Sequence, residues 1–159
     1  LGFKNVYAVD QNKKNLDTAK KFGCKKIYNF NILKDKNKFN TEINKEKNKF
    51  NIELSGCKEM MEHAYKNLSK DGTFILAGNT KVGQKIKINP YDLIFGKKII
   101  GFSGNDISLE DNIEKYSKII KKVGLSKIRG LYKTYSFKNI NIAINDFNKR
   151  KVRRPLIKF

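Results

Sequence analysis

A chain of 159 residues with 39% hydrophobic and 11% aromatic residues can bury a real core, which excludes a disordered protein in spite of the net charge of +20. Cys24 and Cys57 lie far apart without CxxC spacing, giving neither a disulfide framework nor a zinc signature, so a reducing cytoplasm is the expected compartment. No run approaches the roughly 18 consecutive apolar residues of a membrane span.

The positive charge invites a nucleic-acid reading, since a basic stripe gathers phosphates by counterion release. Its distribution argues against one. Lysine and asparagine are spread along the whole length and arginine occurs only four times, whereas phosphate recognition clusters its charges and favours arginine.

Asn5-Val6-Tyr7-Ala8-Val9-Asp10 is a short β-rich run ending in a carboxylate, and a polar turn then feeds a helix with Leu16, Ala19 and Phe22 inward and Gly23 as its stop. In a doubly wound dinucleotide-binding fold, an acid at the carboxyl tip of the second strand accepts hydrogen bonds from the adenosine ribose hydroxyls, which makes Asp10 a candidate for that role. The glycine-rich phosphate loop of such a fold lies about 20 residues before that acid. Here that falls before Leu1, so the sequence reads as the C-terminal portion of something longer.

Lys25 to Phe30 alternates as a short strand near a sheet edge. Residues 31–49 read as a weak surface helix with Phe39 and Ile43 on one face. Lys49 to Gly56 forms a strand ending in a small-residue turn, and the helix after it carries Met61, Ala64, Tyr65 and Leu68 at i, i+3, i+4 and i+7. His63 stands off that stripe and reads as a surface residue. Lys70-Asp71-Gly72 is a predicted turn, and Thr73 to Gly78 is a near-continuous apolar strand of the kind buried on both faces. Pro90 suits the first turn of a short helix, and Lys98 to Ser103 makes the last strand of this part. Ser108 can cap a helix with Leu109, Ile113, Tyr116 and Ile120 on one face, closed by Gly124. Leu131 to Phe137 then alternates as a strand, a helix follows with Ile140, Ala143, Ile144 and Phe147 on one face, and a basic turn leads to a terminal strand.

In this order the pieces resemble the C-terminal half of the medium-chain, zinc-type alcohol dehydrogenase family. The resemblance rests on the Val9-Asp10 strand end, Ala19-Lys20-Lys21-Phe22-Gly23, Glu53-Leu54-Ser55-Gly56 and Leu68-Ser69-Lys70-Asp71-Gly72 leading to Gly78. It continues through Lys98-Ile99-Ile100-Gly101 with Gly104, Tyr135-Ser136-Phe137 before Ile140, Ala143 and Phe147, and Arg154-Pro155-Leu156-Ile157. The spacing of these fragments carries more weight than any one of them.

The resemblance implies an α/β fold: an incomplete Rossmann-like, doubly wound parallel sheet whose first strand is missing, plus a C-terminal segment of the catalytic domain. Residues 1–103 would be the remainder of the NAD-binding domain and 104–159 the return to the catalytic domain. It implies hydride transfer between an alcohol or polyol and a nicotinamide, with zinc in the full-length enzyme ligated outside this chain, so the chain alone is expected to be inactive and poorly stable. A cytoplasmic homo-oligomer is expected, with no membrane partner.

Carried across by position, Asp10 matches the ribose acid and favours NAD over NADP, because its charge repels a 2′-phosphate. Where NAD-using members often place a lysine, this chain has Asn15 at the likeliest match, with Lys13 and Lys14 nearby. Ser55 and Gly56 match the turn after the fourth strand of the family's sheet, and Ala77, Gly78 and Asn79 match the turn after its fifth, near the nicotinamide. Phe102 and Ser103 match positions whose backbone meets the carboxamide. Arg154 matches a basic residue that reaches the pyrophosphate, with Arg153 as its neighbouring rival. No catalytic or metal-ligating residue is assigned within the chain. The alternative of another class is a non-catalytic basic binding protein, nucleic-acid-binding or otherwise, on the same remnant.

Overall fold

The computed structural model describes residues 3–29, 47–103 and 108–159. The chain divides into two compact units, Lys4–Asp106 and Ile107–Phe159, the latter joined by Leu1–Phe3. The helix read around Phe39 and Ile43 lies outside the described residues.

In the first unit, strand β1 (Tyr7–Asp10) pairs in parallel with β2 (Lys26–Asn29), with Tyr7 opposite Lys26 and Asp10 opposite Asn29. Helix α1 (Lys13–Lys21) makes the crossover. Asn12 caps it through a side-chain oxygen that accepts the Lys14 N–H, satisfying one of the donors every helix start leaves open. Gly23 ends it at φ 98°. Leu16 is buried as the stripe requires, but Phe22 is 40% exposed. It sits at the C-cap, outside helical geometry, so the i+3 spacing no longer carries it inward.

Strand β3 (Asn48–Glu53), helix α2 (Lys58–Lys66), strand β4 (Leu68–Leu76), helix α3 (Pro90–Ile94) and strand β5 (Lys98–Gly101) follow. They form a parallel ladder in the order β3-β4-β5. Met61 and Tyr65 of α2 meet Leu68 and Phe74 of β4 in one buried cluster, flanked by Ile86, Ile88 and Ile99. Each fully buried side chain of this size contributes about 1.5–3 kcal/mol.

Two expectations are corrected here. Lys70-Asp71-Gly72 lies inside β4 rather than in a turn. The register against β3 steps from Asn48–Leu68 to Phe50–Thr73, so these residues bulge out of the ladder. An ion pair from Lys49 to Asp71 at 3.1 Å and the Ser69 hydroxyl donating to Asp71 at 3.1 Å hold the bulge. The second correction concerns β4 itself, which is sealed only on the Phe74 face. Ile75 is half-buried, and its ladder neighbours Ile52 and Ile100 are 60% and 49% exposed.

Asn67, between α2 and β4, is buried with both side-chain polar atoms unpartnered, although its backbone carbonyl accepts the Asn48 N–H. Burying an unsatisfied amide costs about 1–3 kcal/mol. Asn67→Leu, similarly branched and apolar, is therefore expected to raise stability by about 1–2 kcal/mol in a thermal melt. A loss of stability would instead mean that a buried water satisfies the amide.

The second unit holds α4 (Leu109–Val123), α5 (Leu125–Arg129), β6 (Tyr132–Ser136), a short 3₁₀ turn (Phe137–Asn139), α6 (Ile140–Asn148) and β7 (Arg154–Lys158). Strands β6 and β7 pair in parallel, with Tyr132 opposite Arg154. The predicted helix forms as α4, but two residues of its expected inward face are not buried, Ile113 at 61% and Ile120 at 39% exposed. Helix α5 escaped the sequence reading because one turn between Gly124 and Gly130 is too short to show a period. The buried Tyr135 hydroxyl donates to Asp146 Oδ2 at 2.9 Å, and Lys133 and Lys151 face the same carboxylate at 3.6 and 3.8 Å. The Tyr135 hydrogen bond, helped by the two lysines, holds the Asp146 carboxyl below the usual range, while burial and then Asp146 push the Tyr135 hydroxyl up.

Candidate functional site

Parallel pairing places the carboxyl ends of β3, β4 and β5 side by side, and the turn after each strand meets its neighbour there. Glu53 closes β3 and is 5% exposed. Its Oε1 accepts the Ser55 N–H at 2.7 Å and the Ser55 hydroxyl, and its Oε2 accepts the Gly56 N–H at 3.1 Å. The Glu53 carbonyl accepts the N–H groups of Ala77 and Gly78 at 3.0 and 2.8 Å. One acidic residue thus ties both turns together.

The glycines are explained by this contact. Gly56 adopts φ 72°, and a Cβ on it would stand 1.8 Å from the Asn79 carbonyl oxygen. A Cβ on Gly78 would lie 2.4 Å from the Gly56 nitrogen and 2.5 Å from Glu53 Oε2. Their first requirement is therefore one turn packed on another, with no room between for a side chain.

The two turns open a groove of about 550 Å³, lined by residues 56–59 and 79–84. Cys57 precedes α2, donates its N–H to Ser55 Oγ at 3.1 Å and its thiol to Glu59 at 3.2 Å. Burial, reinforced by Glu59, pushes the Cys57 thiol up, so it is not set up as a thiolate. At the end of β5 the Phe102 N–H donates to the Leu76 carbonyl at 2.8 Å, and Phe102 and Ser103 are both exposed.

Asp10 ends β1 in the same unit. Its Oδ1 accepts the Asn12 N–H at 2.7 Å and its Oδ2 accepts the Asn15 side-chain amide at 2.8 Å. Arg154 opens β7 in the other unit and is exposed, with Arg153 half-buried beside it. Of the candidate residues, then, Ser55, Gly56, Ala77, Gly78 and Asn79 come together directly, and Phe102 and Ser103 lie one strand over. Glu53 was missed as a functional candidate, although it carries the signal that singled out Asp10, a lone acid closing a strand.

The family model described as zinc-binding dehydrogenase matches residues 1–122. The chain belongs to the zinc-binding dehydrogenase family. Among solved structures it is similar to benzyl alcohol dehydrogenase from Acinetobacter calcoaceticus, at 25% identity and a TM-score of 0.82, covering 99% of this chain and 43% of that one. It is similar in fold to the short chain alcohol dehydrogenase rspB of E. coli CFT073, complexed with NADH, at 19% identity and TM-score 0.78 over 98% of this chain and 45% of that one. It also shares the fold of E. coli K-12 YHDH with bound NADPH, at 12% identity and TM-score 0.68 over 97% and 46%. No curated protein matches the chain. This zinc-binding dehydrogenase chain spans less than half the length of those structures, and its parallel α/β architecture corresponds to their Rossmann-like, nucleotide-binding portion.

The described residues of this zinc-binding dehydrogenase chain do not fit a metal. Among the described residues no three His, Cys, Asp or Glu side chains are gathered to hold one, and Cys57 with Glu59 is only a hydrogen-bonded pair. Among the same residues no helix is long and apolar enough to cross a membrane.

Proposed function

We propose that this chain is the nucleotide-binding portion of a zinc-type alcohol or polyol dehydrogenase that prefers NAD. The observation that carries the reading is Asp10, a half-exposed carboxylate at a strand tip with a hydrogen bond on each oxygen. A carboxylate has about four acceptor sites, so each oxygen keeps one for a ribose hydroxyl. That donor-free, doubly accepting group fits a vicinal diol.

In this reading Asp10 orients the adenosine ribose. The turns at Ser55-Gly56 and Ala77-Gly78-Asn79 let backbone approach a flat ligand, and Phe102 and Ser103 offer backbone groups to the carboxamide. The nicotinamide, when bound, supplies the hydride acceptor. Zinc is proposed to be ligated by the remainder of a longer polypeptide, which supplies the length that this chain lacks against its structural relatives. The exposed row of Ile52 and Ile100 supports a partner surface in the whole enzyme, which we take to be a cytoplasmic homo-oligomer.

The test is to assay the complete natural polypeptide against benzylic, primary and vicinal-diol alcohols with each nicotinamide cofactor. Reduction of NAD that disappears with a chelator and returns with zinc is the expected result, whereas residues 1–159 alone turn over nothing. Absence of any zinc-dependent reduction across the panel would overturn the reading.

A further inference from the structure

We propose that Glu53 is the positioning residue that sets the gap between the two turns at the carboxyl edge of the sheet, and through that gap the affinity for the nicotinamide cofactor; this rests on the reading of those turns as the surface a flat ligand lies against. Glu53 is 5% exposed at the end of β3, and the Ser55 N–H, the Ser55 hydroxyl and the Gly56 N–H all donate to its carboxylate. A buried charge is a poor device for merely ending a strand. What this one adds is contact with both turns at once.

The carboxylate holds residues 55 and 56, while the Glu53 carbonyl takes the Ala77 and Gly78 N–H groups. The two turns then meet without slack. A Cβ on Gly78 would stand 2.5 Å from Glu53 Oε2 and 2.4 Å from the Gly56 nitrogen that donates to that same oxygen, and a Cβ on Gly56 would stand 1.8 Å from the Asn79 carbonyl oxygen. A shift of Gly56 is therefore passed on to residues 77–79. Glutamine is the informative replacement, because it keeps the volume of the side chain and exchanges one acceptor for a donor. Whichever way the amide turns, its N–H₂ meets one of the two backbone N–H groups, and the 55–56 turn must move. Aspartate keeps the charge but withdraws it by one methylene.

Wild type, Glu53→Gln, Glu53→Asp and Ser55→Ala are compared in the complete enzyme by titration calorimetry with NAD, by steady-state kinetics with NAD and an alcohol, and by thermal melts. Glu53→Gln is expected to raise Kd and KM for NAD about tenfold, the loss of a hydrogen bond to a charged group, while KM for the alcohol stays within about twofold. Glu53→Asp should fall between wild type and Glu53→Gln. Ser55→Ala spares both backbone N–H bonds to the carboxylate and should raise Kd about threefold. In the cofactor-free protein, the amide resonances of Ala77, Gly78 and Asn79 should move in Glu53→Gln, although its altered side chain bonds only to the other turn. A folded Glu53→Gln enzyme that binds NAD as the wild type does, whatever its Tm, would overturn the proposal, and so would resonances of residues 77–79 that stay in place. Where Glu53→Gln does not fold, Ser55→Ala decides alone: the threefold rise in Kd supports the proposal and an unchanged Kd overturns it. A wild-type enzyme that binds no nicotinamide cofactor would instead overturn the reading beneath it, a distinguishable outcome.

Discussion

Gly56→Ala is expected to destabilise the unit Lys4–Asp106 by about 3–5 kcal/mol, lowering Tm by more than about 10 °C. The new Cβ would lie 1.8 Å from the Asn79 carbonyl oxygen, inside any possible contact, so one turn must leave the other. Moving the 77–79 turn breaks the bonds from Ala77 and Gly78 to the Glu53 carbonyl. Gly83→Ala separates crowding from backbone strain. Its φ of 81° is equally left-handed but nothing lies within 4 Å, so it should cost only the intrinsic penalty of about 1–2 kcal/mol. Gly101→Ala, with open space and no positive φ, should be close to neutral. Melts in which Gly56→Ala and Gly83→Ala lose stability equally would show that the two turns are not in contact.

Asp10→Ser is expected to reverse the cofactor preference of the complete enzyme. A 2′-phosphate would bring close to two negative charges against the Asp10 carboxylate. A like-charge juxtaposition of this kind costs several kcal/mol, which corresponds to a preference for NAD of about 100-fold or more. Lys13 and Lys14, in the first turn of α1, soften that repulsion and set the lower end of the range. Serine keeps a hydroxyl for the ribose and removes the charge. The measurement is kcat/KM for NAD and NADP in wild type and variant. A wild type that already favours NADP, or a ratio unmoved by the substitution, would remove Asp10 from the cofactor site.

What the sequence made legible follows the range of the interactions involved. Helix α2 and strand β4 were readable because Met61, Tyr65 and Phe74 repeat at the period of their own element. Asp10 stood out for the same reason, as a charge ending an apolar run. Asp71-Gly72 looks like a turn to any local rule, and it is the ladder with the neighbouring strand β3 on either side that keeps it within β4. The closeness of Gly56 to Asn79 was equally invisible, since nothing in either turn announces the other. Asn15 was noticed for the residue it replaces rather than for what it does, because its bond to Asp10 depends on the angle at which α1 leaves β1.

The bulge in β4 also bears on how freely this polypeptide can change its length. It lies at the amino end of the strand, opposite Asn48 and Phe50, while the turns carrying Gly56 and Gly78 are at the carboxyl end. An added residue or a reporter group between Lys70 and Asp71, both exposed, would be taken up where the ladder is already out of step. Asn51, Ile52 and Glu53 would keep their places opposite Phe74, Ile75 and Leu76. Insertions on that side are thus decoupled from the carboxyl edge of the sheet, and the exposed Lys70, rather than Asp71 with its bonds to Lys49 and Ser69, is the natural position at which to label the molecule.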